Sequence, residues 1–153
     1  MVMQTLKIKR IHPTVKLPRY AHATDAGFDL YLPEPVEVAV DERLMVGCGF
    51  AIALPAGSMG RLLHKSSRVK EGLTIASGVI DEGYRGEIKV ILWNISDQPL
   101  TYPAGTPYAQ ILVLPVLHPN IIETDELSET PRGEGGFGST HTVVDGQWTS
   151  IVK

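Results

Sequence analysis

Five short stretches of this 153-residue chain gather residue types that can handle an anion, a metal's water shell or a reacting water molecule. GVIDEGYRGEI (78–88) sets Asp81 and Tyr84 among glycines, where a tight hairpin would offer one carboxylate, one flat ring and several backbone amides. A carboxylate within hydrogen-bond reach of a water is a sufficient general base. DAGFDLYLP (25–33) places Asp25 and Asp29 four apart around a glycine, ahead of a strand. Such aspartates either cap the backbone N–H groups of a turn or hold Mg²⁺ through water, because Mg²⁺ keeps its waters and takes few carboxylates beside substrate phosphates. HKSSRVKEG (64–72) joins two serines to three cations. A helical turn there is either plainly capped by Ser66 or Ser67, or it presents N–H groups and hydroxyls to an anion. AGTPYAQILV (104–113) puts Gln110 at the entry to a strand, where its amide can donate to an oxyanion.

The last stretch, PRGEGGFGST (131–140), carries Arg132, Phe137, Ser139 and Thr140 on backbone with four glycines. Each glycine costs about 0.5–1 kcal/mol more to order than alanine. Two or three charge-assisted hydrogen bonds, roughly 1.5–3 kcal/mol each, would offset that. The segment therefore reads as an arm that opens and closes over a phosphate-bearing ligand, with Arg132 on phosphate charge and Phe137 stacked on a planar group.

The elements that must position these residues are short strands. Leu6 and Ile8 alternate with lysines, Val36, Val38 and Val40 alternate in VEVAV, and Phe50, Ile52 and Leu54 do so in FAIAL. EIKVILWNI (87–95) and QILVLPVL (110–117) are β-branched runs that could be buried on both faces. LPEP, LPAGS, SDQP and YPAG supply turns between them. Only 65–73 suits a helix, a short one closed by Gly72. The fold class is all-β: a sandwich, barrel or jelly roll with one short helix and a glycine-rich C-terminal arm. Residues 1–127 read as a β-rich core, and 128–153 as a flexible arm and tail of the same single domain. A formal net charge of −3 argues against a long footprint on nucleic acid. The single cysteine, Cys48, excludes an internal disulfide framework and reads as a small buried hydrophobe. No stretch approaches 18 apolar residues, and the N-terminus lacks a signal-peptide pattern, so a soluble cytoplasmic protein with no membrane partner is expected.

Taken in order, the five stretches resemble the five motifs of the trimeric dUTPases, over Asp25 to Thr140 and with matching spacing. GVIDEGYRG and RGEGGFGST carry the resemblance most specifically. It implies a jelly-roll subunit, a homotrimer with active sites at subunit interfaces, and Mg²⁺-assisted hydrolysis of dUTP to dUMP and pyrophosphate. Such a reaction keeps uracil out of DNA and supplies dUMP. By the same resemblance, Asp81 would deprotonate the water that attacks the α-phosphorus, and Tyr84 would lie under the deoxyribose. Backbone groups of 75–80, with Gly78 and Ile80 among them, would face uracil, and Asp29 would hold the metal through water. Lys65, Ser66, Ser67 and Gln110 would contact phosphates. In the arm, Arg132 would meet the γ-phosphate, Phe137 would stack on uracil, and Gly138, Ser139 and Thr140 would close around the terminal phosphates.

Four departures from the family pattern stand out. The second motif commonly runs Arg-Ser-Gly-Leu-Ala or Arg-Ser-Ser-Leu-Ala, whereas this chain has Lys65-Ser66-Ser67-Arg68-Val69. Lysine is a point charge without arginine's fork, so either Lys65 substitutes with some loss or Arg68 reaches round. His141 replaces the usual glycine after the arm, and the Pro107–Tyr108 pair is unusual. A tail, HTVVDGQWTSIVK, runs past the end of many relatives. Two alternatives remain: a catalytically weak dUTPase-like nucleotide-binding regulator, and a relative of the dCTP deaminases. The latter need a glutamate on the strand after the third motif, where this chain has Ile91.

Overall fold

A computed structural model describes residues 5–136, 141–144 and 147–150. The chain divides into two units, Met1–His118 and Pro119–Lys153. Strands β1 (Lys7–Arg10), β2 (Gly27–Tyr31), β3 (Val36–Val38), β4 (Arg43–Gly47), β5 (Phe50–Ala53) and β6 (Ser58–His64) open the first unit. The short helix α1 (Ser66–Lys70) follows, then β7 (Leu73–Ile75), β8 (Val79–Ile80), β9 (Lys89–Asn94), β10 (Leu100–Tyr102) and β11 (Pro107–Pro115). They form a four-stranded sheet β2-β11-β6-β8, a three-stranded sheet β4-β9-β7, and the pairs β1-β5 and β10-β3. Every pairing is antiparallel and most join distant segments, the jelly-roll-like arrangement the strand pattern leads one to expect. In the second unit, β12 (His141–Val144) pairs with β13 (Gln147–Ser150). Among the described residues, no helix is long and apolar enough to cross a membrane.

Alternation sets the core. In β2, Phe28 and Leu30 face inward, and Ile111 of β11 and Leu62 of β6 meet them across the sheet. β9 departs from the expectation of two buried faces. Val90, Leu92 and Asn94 are buried, while Lys89 is exposed and Ile91 and Trp93 are half-buried. On the outer face of its sheet the Arg43 guanidinium sits 4.4 Å from the Trp93 ring centroid, and the indole N–H donates to Asp41. The alternation in VEVAV also stops early, at Val38. Glu42 accepts the Ala39 N–H and Asp41 takes a positive φ of 58°, a conformation aspartate tolerates, so the chain turns there.

The polar groups of Tyr108, Cys48 and Asn94 lie inside the apolar interior with partners. The bulge between Pro107 and Ala109 drives Tyr108 into the core, where its hydroxyl lies 3.1 Å from Cys48 Sγ. Burial pushes the Cys48 thiol up to about 12, and burial raises the Tyr108 phenol too, so both stay neutral. The unusual Pro107–Tyr108 pair is thus a strand start without a needed N–H, followed by a bulged aromatic. Asn94, fully buried, donates to the carbonyls of Val38 and Gln98 and accepts from the backbone N–H and hydroxyl of Ser96. It ties β9, β3 and the following turn together. Asn94→Ala is expected to lower unfolding free energy by roughly 3 kcal/mol, because it strands several buried groups at once. Urea unfolding would test this, and a loss below about 1 kcal/mol would show that the network is dispensable.

Candidate active site

The third stretch is not a hairpin. β8 pairs with β6 in one sheet, whereas β9 pairs with β4 and β7 in another, so residues 81–88 carry the chain from sheet to sheet. Side chains and amides hold this crossing in shape. Tyr84 N–H donates to the Asp81 carbonyl, and Glu82 accepts the Gly57 N–H at 2.7 Å. Arg85 donates to the carbonyls of Glu82 and Tyr84, and the Tyr84 hydroxyl donates to the Glu87 carbonyl at 2.9 Å. Glu87 accepts the Gly49 N–H, and Ile88 plugs into the core. Gly86 is required by contact: a Cβ there would come within 2.6 Å of Tyr84 Cζ.

The crossing and β8 enclose a cavity of about 220 Å³ whose lining includes Ser77, Gly78, Ile80, Asp81, Tyr84 and Lys89. Asp81 is exposed, and among the described residues its carboxylate makes neither a hydrogen bond nor an ion pair. Tyr84 is 45% exposed, with its hydroxyl anchored and its ring free to face a ligand. β8 is an edge strand, so half of its backbone donors and acceptors have no strand partner. The structure thus brings Gly78, Ile80, Asp81 and Tyr84 together. Sequence reasoning missed Arg85, Gly86 and Lys89, whereas Ser77 falls within the 75–80 segment it expected to face the base; the glycine directly after Tyr84-Arg85 was the available signal for Gly86.

A second group forms on the outer face of the four-stranded sheet. Asp29 of β2 lies opposite Gln110 of β11, and Gln110 lies opposite Leu63 of β6. Lys65 continues in extended backbone two residues beyond Leu63, so it points to the same face. It reaches across β11 to form an ion pair with Asp29, whose residue is only 9% exposed. Gln110 donates one amide hydrogen to the His64 carbonyl, which leaves the other available. Ser66 and Ser67 open helix α1, exposed. Neither is the N-cap: that position falls to Lys65, with no side-chain cap, because Lys65 is still extended from β6. Gly72, at φ +92°, closes the helix as expected.

Arg68 does not reach toward this group. Its guanidinium lies 2.8 Å from Glu71 and 5.1 Å from the Tyr102 ring centroid. The Tyr102 hydroxyl donates to the same Glu71 carboxylate at 2.9 Å. Burial first, and then the Glu71 bond, push the Tyr102 phenol up to about 12. The trio fastens α1 to β10.

None of Asp29, Lys65, Ser66 or Gln110 lines the cavity that holds Asp81 and Tyr84. In the second unit, Arg132 is exposed and donates from Nε to the Gly135 carbonyl, while Gly133, at φ +50°, turns the chain after Thr130. Phe137, Gly138, Ser139 and Thr140 lie outside the described residues.

Comparison with known proteins gives a single family. The dUTPase family model matches residues 14–141. The chain is 46% identical to a deoxyuridine 5'-triphosphate nucleotidohydrolase of Corynebacterium jeikeium, over 88% of this chain and 92% of the relative. A protein of the same name from Picosynechococcus is 39% identical, over 90% of this chain and 99% of the relative. Among solved structures, a mutant dUTPase of Staphylococcus bacteriophage 80alpha with dUpNHpp superposes with a TM-score of 0.85 at 25% identity, covering 90% of this chain and 98% of that one.

Gly86→Ala is expected to expel the Tyr84 ring and break its bond to Glu87, while changing stability by less than about 1 kcal/mol because the crossing is exposed. Tyr84 ring resonances in NMR spectra check this. Unchanged ring shifts would mean that Gly86 imposes no position on Tyr84.

Proposed function

The chain belongs to the dUTPase family, and from that premise we propose that it hydrolyses dUTP to dUMP and pyrophosphate with Asp81 as general base. The observation that carries this reading is the cavity shared by Gly78, Ile80, Asp81 and Tyr84. Uracil's imide edge alternates acceptor, donor and acceptor, a pattern that the unpaired backbone of edge strand β8 can meet. Cytosine reverses donor and acceptor at two of these positions, N3 and the C4 substituent, and would leave polar groups unpaired, which costs far more than a missing methylene. Tyr84 gives the deoxyribose a flat floor whose close contact excludes a 2′-hydroxyl.

Asp81 takes the proton of the attacking water. Its carboxylate has no competing partner among the described residues, so it is free to accept. Phosphoryl transfer asks the protein chiefly for positioning and charge neutralisation. Lys65, Ser66, Ser67 and Gln110 bind the phosphates, with Lys65 in place of an arginine fork, since Arg68 is committed to Glu71 and Tyr102. Arg132 and the segment through Phe137, Gly138, Ser139 and Thr140 close the site.

Among the described residues, no cluster of three His, Cys, Asp or Glu side chains could hold a metal alone. A lone carboxylate beside phosphate-binding groups fits Mg²⁺ carried in on the triphosphate with its waters kept, and Asp29 is the residue that would hold that water shell. Bound there, Mg²⁺ supplies neutralisation of phosphate charge. The chain works as a homotrimer whose copies complete one another's sites. What supports this is that the Asp81 cavity is lined by none of the phosphate-side residues of the same chain.

Pyrophosphate release from dUTP, dCTP, dTTP and UTP in turn, with Mg²⁺, tests the reading. Fast release from dUTP alone is expected, and Asp81→Asn should slow it by about 10²–10⁴-fold while dUTP still binds. Binding of dUTP by the wild type without pyrophosphate release would reject hydrolysis, and undiminished turnover in the variant would reject Asp81 as the base.

A further inference from the structure

A larger cavity, of about 520 Å³, opens over Tyr31, and its wall includes Lys16, Arg19, Tyr20 and Asp29. Lys16 and Arg19 lie outside all five motifs. The Lys16 ammonium stands 3.5 Å from the Tyr31 ring centroid, and Arg19 donates from Nε to the Tyr31 hydroxyl at 3.3 Å. Two cations thus converge on one nearly buried tyrosine. Asp29 is the one carboxylate in the wall, and its charge is already answered by Lys65. Neither Lys16 nor Arg19 forms an ion pair among the described residues. The cavity therefore carries uncompensated positive charge, with several N–H donors of both cations and the hydroxyl proton of Tyr31 unspent.

A patch of this kind is complementary to an anion bearing more than one charge. The ring positions Lys16 as a point charge, while Arg19 keeps free guanidinium N–H groups that suit phosphate oxygens. Two cations separated by a tyrosine match an anion with two charged centres better than one with a single centre. Asp29 belongs both to this wall and to the row that includes Lys65 and Gln110, so the two places adjoin.

We infer that the cavity over Tyr31 is a binding site for a phosphate-class anion, and that pyrophosphate is the ligand it takes. The identification of pyrophosphate rests on the proposed function, since that reaction releases it beside Asp29. Lys16 and Arg19 retain the leaving product after the bond to the α-phosphorus has broken, and they thereby set the strength of product inhibition.

Titration calorimetry on the full chain, in magnesium-free buffer, tests this with sodium pyrophosphate in one arm and inorganic phosphate in the other. Pyrophosphate should bind at least about tenfold more tightly than phosphate. The double variant Lys16→Gln/Arg19→Gln should lose about tenfold or more of that affinity, and Arg19→Lys should retain most of it. With dUTP as substrate, the inhibition constant of pyrophosphate should rise by the same factor, with KM within about threefold of wild type. Wild-type pyrophosphate affinity in the double variant overturns the site, and equal binding of phosphate overturns the ligand. Should dUTP prove not to be hydrolysed, the calorimetry still reports on the cavity, so the two claims fail separately.

Discussion

Strand β11 is hydrogen-bonded along both of its edges, to β2 on one side and β6 on the other, and the functional surface depends on that double pairing. β2 carries Asp29, β11 carries Gln110, the chain leaving β6 carries Lys65 and the two serines, and β6 in turn holds β8 with the start of the third motif. Four of the five motifs are therefore attached to one sheet. Register is strict in such a sheet, because a slip of one residue would move Phe28, Leu30 and Ile111 out of the core. The same registry that buries the core on the inner face aligns Asp29, Gln110 and Leu63 on the outer one.

Rigidity and exposure are divided between the sheets and the crossing. In the core of the sheets the polar groups of three residues are paired: Asn94 uses both its amide nitrogen and its oxygen, and Cys48 and Tyr108 share a bond while burial keeps both uncharged. The crossing at 81–88 is anchored at its ends and across its middle, yet it leaves the Asp81 carboxylate and the Tyr84 ring exposed. A carboxylate proposed to accept a proton is more useful with no internal partner. The chain provides this by giving the structural bonds of the crossing to Glu82 and Glu87 and leaving Asp81 out.

Charge is apportioned in the same manner around the second motif. Lys65 is paired with Asp29, and Arg68 is turned away onto Glu71 and Tyr102, where it holds the short helix in place. Arg68 suits this inward role because its guanidinium can meet a carboxylate and lie on a ring at once, which an ammonium cannot. The departures from the family pattern in this motif are thus one substitution at the partner of Asp29 and one at the anchor of α1.

The residue types at Asp81, Tyr84, Asp29 and Gln110, and the alternation that makes strands, were legible in the chain because they are local: turn glycines, period-two burial and motif spacing need no distant partner. The helix closure at Gly72 was legible for the same reason, and its N-cap at Lys65 was not, since Lys65 is held extended by the end of β6. Likewise GVIDEGYRGEI has the composition of a hairpin, and only the pairing of β8 with β6 and of β9 with β4 turns it into a crossing between sheets. The sequence by itself determined which groups could do the chemistry and that the fold would be built of strands. The tertiary structure decided which of those groups meet: Lys65 reaches Asp29, and Arg19 and Lys16 converge on Tyr31. Such meetings depend on long-range strand register, which is settled by how two distant segments bury their apolar faces together and which neither segment specifies alone.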